Sequence, residues 1–142
     1  MDDIVALAER LATQAHAGQY DKTGHPYIEH PARVAARVSD PMAKATAWLH
    51  DVVEHTAVTL HDLHAAGLPV EVVDAVQALT KIAGQDMRTY YDRVKGNPLA
   101  VQVKWADLAD NTDPQRTVQL DPATRERLAR KYATARELLT DV

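Results

Sequence analysis

The chain predicts an all-α fold, and three observations carry that expectation. Apolar residues recur at helical spacing in several segments. Asp–Pro and Asn–Pro pairs of the kind that open helices punctuate the sequence. No segment alternates polar and apolar residues as a half-buried strand requires. Alanine is the commonest residue and Phe is absent, which suits helices packed closely through small side chains. The length of 142 residues suits one domain around one core, so the expected architecture is a compact bundle of roughly seven helices spanning 1–142.

The elements follow in order. Ile4, Leu7, Leu11 and Ala15 share one face of a first helix near residues 3–17. The longest irregular stretch runs from Gly18 to Tyr27 and contains Gly24 and Pro26. His30, just before Pro31, stands where that loop enters a second helix. Asp40-Pro41 opens the next, because the Asp side chain caps and proline suits the first helical position. Thr59 with Asp62 resembles a capping box before a short helix. Gly67-Leu68-Pro69 ends that helix and opens another, which carries Val72, Val73, Val76 and Leu79. Gly96 precedes the Asn97-Pro98 start. Asp121-Pro122 starts the last helix, with Leu128, Tyr132, Ala135 and Leu139 on one face. No linker, repeat or low-complexity tract interrupts the series.

Composition narrows the function. Hydrophobic content of 46% and charged content of 25% are ordinary for a soluble protein. A formal net charge of -4 argues against a nucleic-acid footprint. It leaves room for a small anionic ligand, since a metal ion and a few local cations can invert the field of a pocket. With no cysteine there is no disulfide, no thiolate nucleophile and no Cys-type zinc site. The acidic N-terminus does not read as a signal peptide, and no apolar run approaches the roughly 20 residues of a membrane span. A cytoplasmic protein is expected.

The chemistry centres on Leu49-His50-Asp51-Val52-Val53-Glu54. His50 and Asp51 are adjacent metal-ligand types. Glu54, four and three residues on, shares their side if the helix is continuous. The partners must come from elsewhere. His30 is one candidate, although a lone histidine is more often a surface residue at a helix start. Asp107 is another. Lys104, Asp107 and Asn111 fall on one helical face, in a position where Asp and Asn are not favoured without a reason. A solvated face is the bland alternative.

Together, His30, His50-Asp51 and Asp107 form an H…HD…D signature that resembles the HD-domain superfamily of metal-dependent phosphohydrolases. Further segments resemble Rel/SpoT-type (p)ppGpp hydrolase domains and the stand-alone small alarmone hydrolases. They are His16-Ala17-Gly18-Gln19 with Gly24 and Pro26-Tyr27-Ile28-Glu29-His30-Pro31; Trp48 to Glu54; Leu79-Thr80-Lys81; and Val103-Lys104-Trp105-Ala106-Asp107, ending at Asn111. The resemblance implies an all-α HD domain and one divalent metal held by His30, His50, Asp51 and Asp107. Mn²⁺ leads, with Fe²⁺, Co²⁺ and Zn²⁺ also compatible with two imidazoles and two carboxylates. It implies release of pyrophosphate from the 3′ position of (p)ppGpp, a small phosphorylated nucleotide, with Glu54 orienting or deprotonating water. Lys22 corresponds to a basic residue near the nucleotide.

Several assignments stay open. Lys104 and Asn111 could reach substrate, and Lys104 reads equally as the partner of an acid. Tyr27 packs on a base or, slightly favoured, anchors the loop. Lys81 reads first as a helix-end cation. His55 follows Glu54 where the family usually has Asp, and would act with Glu54 as proton donor or hydrogen-bond partner. Asp21 stands in place of a usual arginine, and Thr112-Asp113-Pro114 in place of Met-Arg-Thr. These departures keep two alternatives: an HD phosphohydrolase of another nucleotide or small phosphate ester, and a catalytically weak nucleotide-binding metal protein.

Overall fold

The structure, a computed structural model, describes residues 2–140. Those residues form ten helical segments: α1 (Asp2–Ala15), α2 (Glu29–Ala36), α3 (Pro41–Leu49), α4 (Val52–His55), α5 (Leu60–Ala65), α6 (Val70–Leu79), α7 (Met87–Lys95), α8 (Pro98–Asn111), α9 (Pro114–Thr117) and α10 (Pro122–Thr140). The expected all-α class is observed. The segments outnumber the expected seven mainly because α4 and α9 are single turns of four residues. No β-strand occurs among the described residues. One isolated bridge between Tyr20 and Pro26 ties the Gly18–Tyr27 loop together.

The capping signals act as read. Asn97 accepts from the Ala100 amide at 3.0 Å, Asp121 from the Thr124 amide at 3.1 Å, and Asp40 from the Met42 amide at 3.4 Å. Thr59 and Asp62 exchange both bonds of a capping box, at 3.1 and 2.9 Å. Each satisfies an amide that the first helical turn leaves without a partner. A further cap, Asp113 before Pro114, starts α9 within a stretch whose sequence suggested only a departure from a family pattern.

One local expectation needs correction. The stretch from His50 to Glu54 is not one continuous helix: α3 ends at Leu49, and α4 starts anew at Val52. The His50 imidazole donates from Nδ1 to the Ala47 carbonyl at 2.6 Å, taking an acceptor in the last turn of α3. His50 and Asp51 therefore occupy the break between two helices. The first helix likewise stops at Ala15 rather than residue 17, and Gly18 turns the chain with φ of 81°.

Helix α3 is the centre of the packing and touches α1, α2, α6 and α8. Its Ala43, Ala45, Thr46, Ala47 and Leu49 have no solvent exposure. Small side chains there let neighbouring helices approach, as the alanine-rich composition suggests. On one side Ala8, Ala12, Leu49, Val52, Leu63, Val72 and Val76 join α1, α3, α4, α5 and α6. On the other Val34, Ala47, Tyr91, Val94, Val103, Leu108 and Leu139 join α2, α3, α7, α8 and α10. Burying each such Leu or Val stabilises the fold by about 1.5–3 kcal/mol. The three elements that carry the H…HD…D residues, α2, the α3–α4 break and α8, are locked together by these clusters.

Candidate metal centre

His30 enters α2 in its first turn, directed by the turn at Pro26-Tyr27, where the His30 amide bonds the Tyr27 carbonyl at 3.0 Å. His50 and Asp51 come from the α3–α4 break, and Asp107 from the middle of α8. Donor atoms of His30, His50 and Asp107, all buried, lie within 4.8 Å of one another. Asp107 Oδ1 is 2.9 Å from His30 Nε2 and 3.3 Å from His50 Nε2. Asp51 stands beside this cluster, its Oδ2 3.2 Å from His50 Nε2 and 3.8 Å from His30 Nε2. So the four residues read as ligands from the sequence converge in one place.

The donor set fits a divalent cation. Because the Ala47 carbonyl can only accept, His50 Nδ1 carries the proton in that bond. Nε2 then aims a lone pair at two carboxylates. It is buried, and neither carboxylate contact is aligned as a hydrogen bond. A proton or a cation must stand there to offset the repulsion. Without a metal, protons fill that role. Burial alone would lower the His50 pKa, but Asp51 and Asp107 outweigh it and hold it well above the usual 6.5. His30 is raised for the same reason by Asp107 and Asp110. Burial would raise Asp107 and Asp51 in turn. Lys104 and the imidazoles keep Asp107 far below the usual carboxylate range, and His50 does the same for Asp51.

Three other sequence candidates hold the proposed ligands. Tyr27 Oη donates to Asp51 Oδ2 at 2.5 Å. Lys104 Nζ donates to Asp107 Oδ2 at 3.1 Å and lies 5.3 and 5.6 Å from the ring centres of Tyr90 and Tyr91. Asn111 donates to Asp107 Oδ1 at 3.2 Å. Of the two readings of Lys104, the acid partner is the one observed.

Glu54 opens onto the same cavity despite the helix break. Its Oε1 accepts from the Lys81 amide at 3.0 Å, and its Oε2 lies 3.2 Å from His55 Nε2. The cavity holds about 400 Å³. Its wall also includes Lys22, Lys81, Arg116 and Lys131, with Tyr20 and Tyr132. Burial lowers the Lys131 pKa, and so does repulsion from Lys81, Lys104 and Lys22. Asp21 also lines the cavity, with Oδ2 3.9 Å from Arg116 Nη2 and Oδ1 held by its own loop. It accepts from the Thr23 amide at 2.8 Å, the Thr23 hydroxyl at 2.7 Å and the His25 amide at 3.0 Å. Its function in the loop is that of a clasp.

Sequence reasoning passed over four groups. Asp110, fully buried, bonds His30, Arg33 and Arg116. Arg33 and Arg116 were not singled out at all. Lys131 falls within the last helix, where no local pattern marks it. Helical spacing from Asp107 could have found Asp110; no spacing rule reaches from α8 to Arg116 on α9. His16 is buried against Tyr27 and holds Gln19, which in turn bonds the His55 carbonyl at 3.0 Å.

A buried His/Asp cluster at the junction of three helices, facing a cation-rimmed cavity, defines a metal-site helical domain. The chain belongs to the HD domain family, whose profile matches residues 8–135. Its curated relatives include the guanosine-3′,5′-bis(diphosphate) 3′-pyrophosphohydrolases of Haemophilus influenzae and Vibrio cholerae. They are 33% and 34% identical over 133 residues, 85% of this chain. The bifunctional (p)ppGpp synthase/hydrolase SpoT of Escherichia coli is 33% identical over the same share. The chain spans about a fifth of the length of these relatives. Among solved structures, a metazoan ortholog of SpoT that hydrolyzes ppGpp superposes with a TM-score of 0.80. That match is 20% identical and covers 97% of this chain and 86% of the other, a likeness of fold. No described helix is long and apolar enough to cross a membrane.

Proposed function

We propose that the chain, as one HD-type unit over 1–142, is a metal-dependent phosphohydrolase that releases pyrophosphate from the 3′ position of (p)ppGpp. The observation that carries this reading is that two sets of groups line the walls of one cavity: His30, His50, Asp51 and Asp107, and the cations Lys22, Lys81, Arg116 and Lys131. A substrate with separated phosphate groups matches both sets at once. The names of the relatives support the guanosine compounds over other esters. The formal net charge of -4 argues against a nucleic-acid partner. A cytoplasmic location follows from the substrate.

His30, His50, Asp51 and Asp107 would hold one divalent ion, Mn²⁺ by preference. When bound, such an ion supplies Lewis-acid polarisation and a more acidic water. Glu54 accepts the proton of the attacking water, and the Lys81 amide keeps its carboxylate aimed into the cavity. His55, beside Glu54 Oε2, shares or returns that proton. Attack at phosphorus forms one P–O bond and breaks the bond to the 3′ oxygen, which leaves with a proton. Lys22, free of any ligand-holding bond, takes a phosphate. Tyr27, Lys104 and Asn111 act on substrate through the ligands they hold.

The test is a product assay with ppGpp, pppGpp and a panel of nucleotides and phosphate esters, run with Mn²⁺ or with chelator. Pyrophosphate from ppGpp only with metal, and lost in Asp51→Ala, is the expected result. Rapid cleavage of another ester with none of ppGpp would replace this reading with the second one, which His55 beside Glu54 favours. Binding without turnover across several metals would leave only a nucleotide-binding protein.

A further inference from the structure

Asp110 has no solvent exposure, yet it carries a charge next to the proposed metal ligands. It lies three residues beyond Asp107, so both carboxylates project from one face of α8. They take opposite edges of the His30 imidazole. Asp107 Oδ1 is 2.9 Å from Nε2, and Asp110 Oδ2 is 2.6 Å from Nδ1. Asp110 is itself gripped from two other helices. Arg33 Nε of α2 donates to Oδ1 at 2.8 Å. Arg116 Nη1 of α9 donates to Oδ2 at 3.1 Å and to the Asp110 carbonyl at 2.9 Å.

A buried carboxylate offset by two guanidiniums is a costly way to fill space, since an apolar side chain of similar volume often does so at least as well. What the carboxylate adds is an acceptor for an N–H at Nδ1. That acceptor decides the tautomer of the ring, and with it which nitrogen offers a lone pair. We propose that Asp110 is a positioning residue for the metal centre: it keeps the His30 proton on Nδ1 and turns Nε2 toward His50 and Asp107, while Arg33 and Arg116 hold Asp110 in place. This rests on the metal reading of the site. It adds a residue that touches neither the ion nor the substrate and acts through His30.

The experiment uses the full chain, ¹⁵N-labelled at histidine and loaded with diamagnetic Zn²⁺, together with calorimetric Zn²⁺ titrations of the wild type, Asp110→Asn and Asp110→Ala. In the wild type, the His30 signals should report a proton on Nδ1 and metal on Nε2. Both variants should lose about 10- to 100-fold in Zn²⁺ affinity. In metal-free Asp110→Asn, at a pH where the ring is neutral, the proton should no longer stay on Nδ1 alone, because an amide can donate as well as accept. Folded variants with wild-type affinity and an unchanged tautomer overturn the proposal and leave the metal reading intact. A wild type that binds no Zn²⁺ overturns both. If neither variant folds, the wild-type spectrum decides: a His30 proton on Nε2, or metal on Nδ1, overturns the assignment.

Discussion

Compare the two walls of the cavity. On the ligand wall nearly every polar atom is already engaged inside the protein: Asp107 with His30, Lys104 and Asn111, Asp51 with Tyr27, and His30 with Asp110. These groups come from the first turn of α2, a helix break and the interior of α8, all anchored in the core. On the cationic part of the wall Lys22 sits in the Gly18–Tyr27 loop, Lys81 just beyond the end of α6, and Lys131 on α10. Beyond burial, Lys81 and Lys22 repel Lys131 and help to lower its pKa. The difference separates two tasks. Holding a small ion of high charge needs donors fixed to a fraction of an ångström. Meeting a phosphorylated ligand needs net positive potential, which flexible side chains supply without fixed geometry.

If that division is right, disruption of the ligand wall should be severe and disruption of the other wall mild. The largest effect is expected for Asp107→Ala, which leaves Lys104 buried without its ion-pair partner. Urea unfolding in chelator should register a loss of about 3–5 kcal/mol, and turnover should fall to background. A loss below about 1 kcal/mol would mean that the pair behaves like a surface contact.

Metal addition comes next. At 100 times the dissociation constant, Mn²⁺ should stabilise the chain by about 2.7 kcal/mol, and the gain should depend on pH. In the metal-free protein the raised pKa values of His30 and His50 give stabilisation that is full below the unfolded value of 6.5 and is lost as pH rises through the folded values. The ion needs neutral imidazoles, so its own contribution grows over that same rise. Thermal melts with Mn²⁺ and with chelator should diverge increasingly as pH rises above the unfolded value of 6.5. A constant gap would mean that His30 and His50 do not change protonation on binding.

Tyr27→Phe removes one charge-assisted bond to Asp51 while keeping the ring against His16. A loss of about 1.5–3 kcal/mol in stability and about tenfold in Mn²⁺ affinity should follow. An unchanged Mn²⁺ isotherm would assign Tyr27 to the substrate instead. The smallest effect belongs to Lys131→Ala. Steady-state kinetics should give a KM raised about two- to fivefold, as a partly exposed charge pair warrants, with stability within about 0.5 kcal/mol of wild type. A large fall in kcat with KM unchanged would place Lys131 with the reacting atoms and break the division of walls.

The legibility of the molecule follows the same line. The caps at Asp40, Thr59, Asn97 and Asp121 depend on groups within three residues of one another, and all were readable from local sequence. The shared face of Lys104, Asp107 and Asn111 was readable for the same reason. The break at His50–Asp51 was not, because a side chain bonding back to the Ala47 carbonyl leaves no mark in the pattern of apolar residues. Asp21 looked like a charge set against a phosphate, yet Thr23 and His25 hold its Oδ1 within the loop and Arg116 stands 3.9 Å from its Oδ2. Pro114 looked like the loss of a cation, yet it opens the turn that carries Arg116 to the cavity.

By itself the sequence determined the helical class and most helix starts, because periodicity and capping act over a few residues, while the four candidate ligands were legible through resemblance to the H…HD…D pattern of a family. Only the tertiary structure decided which atoms those residues present and what holds them. Asp110 meets His30 across 80 positions, and Arg33 and Arg116 reach Asp110 from separate helices. Such contacts depend on how α2, α8 and α9 pack, and packing is a property of the whole core rather than of any segment within it.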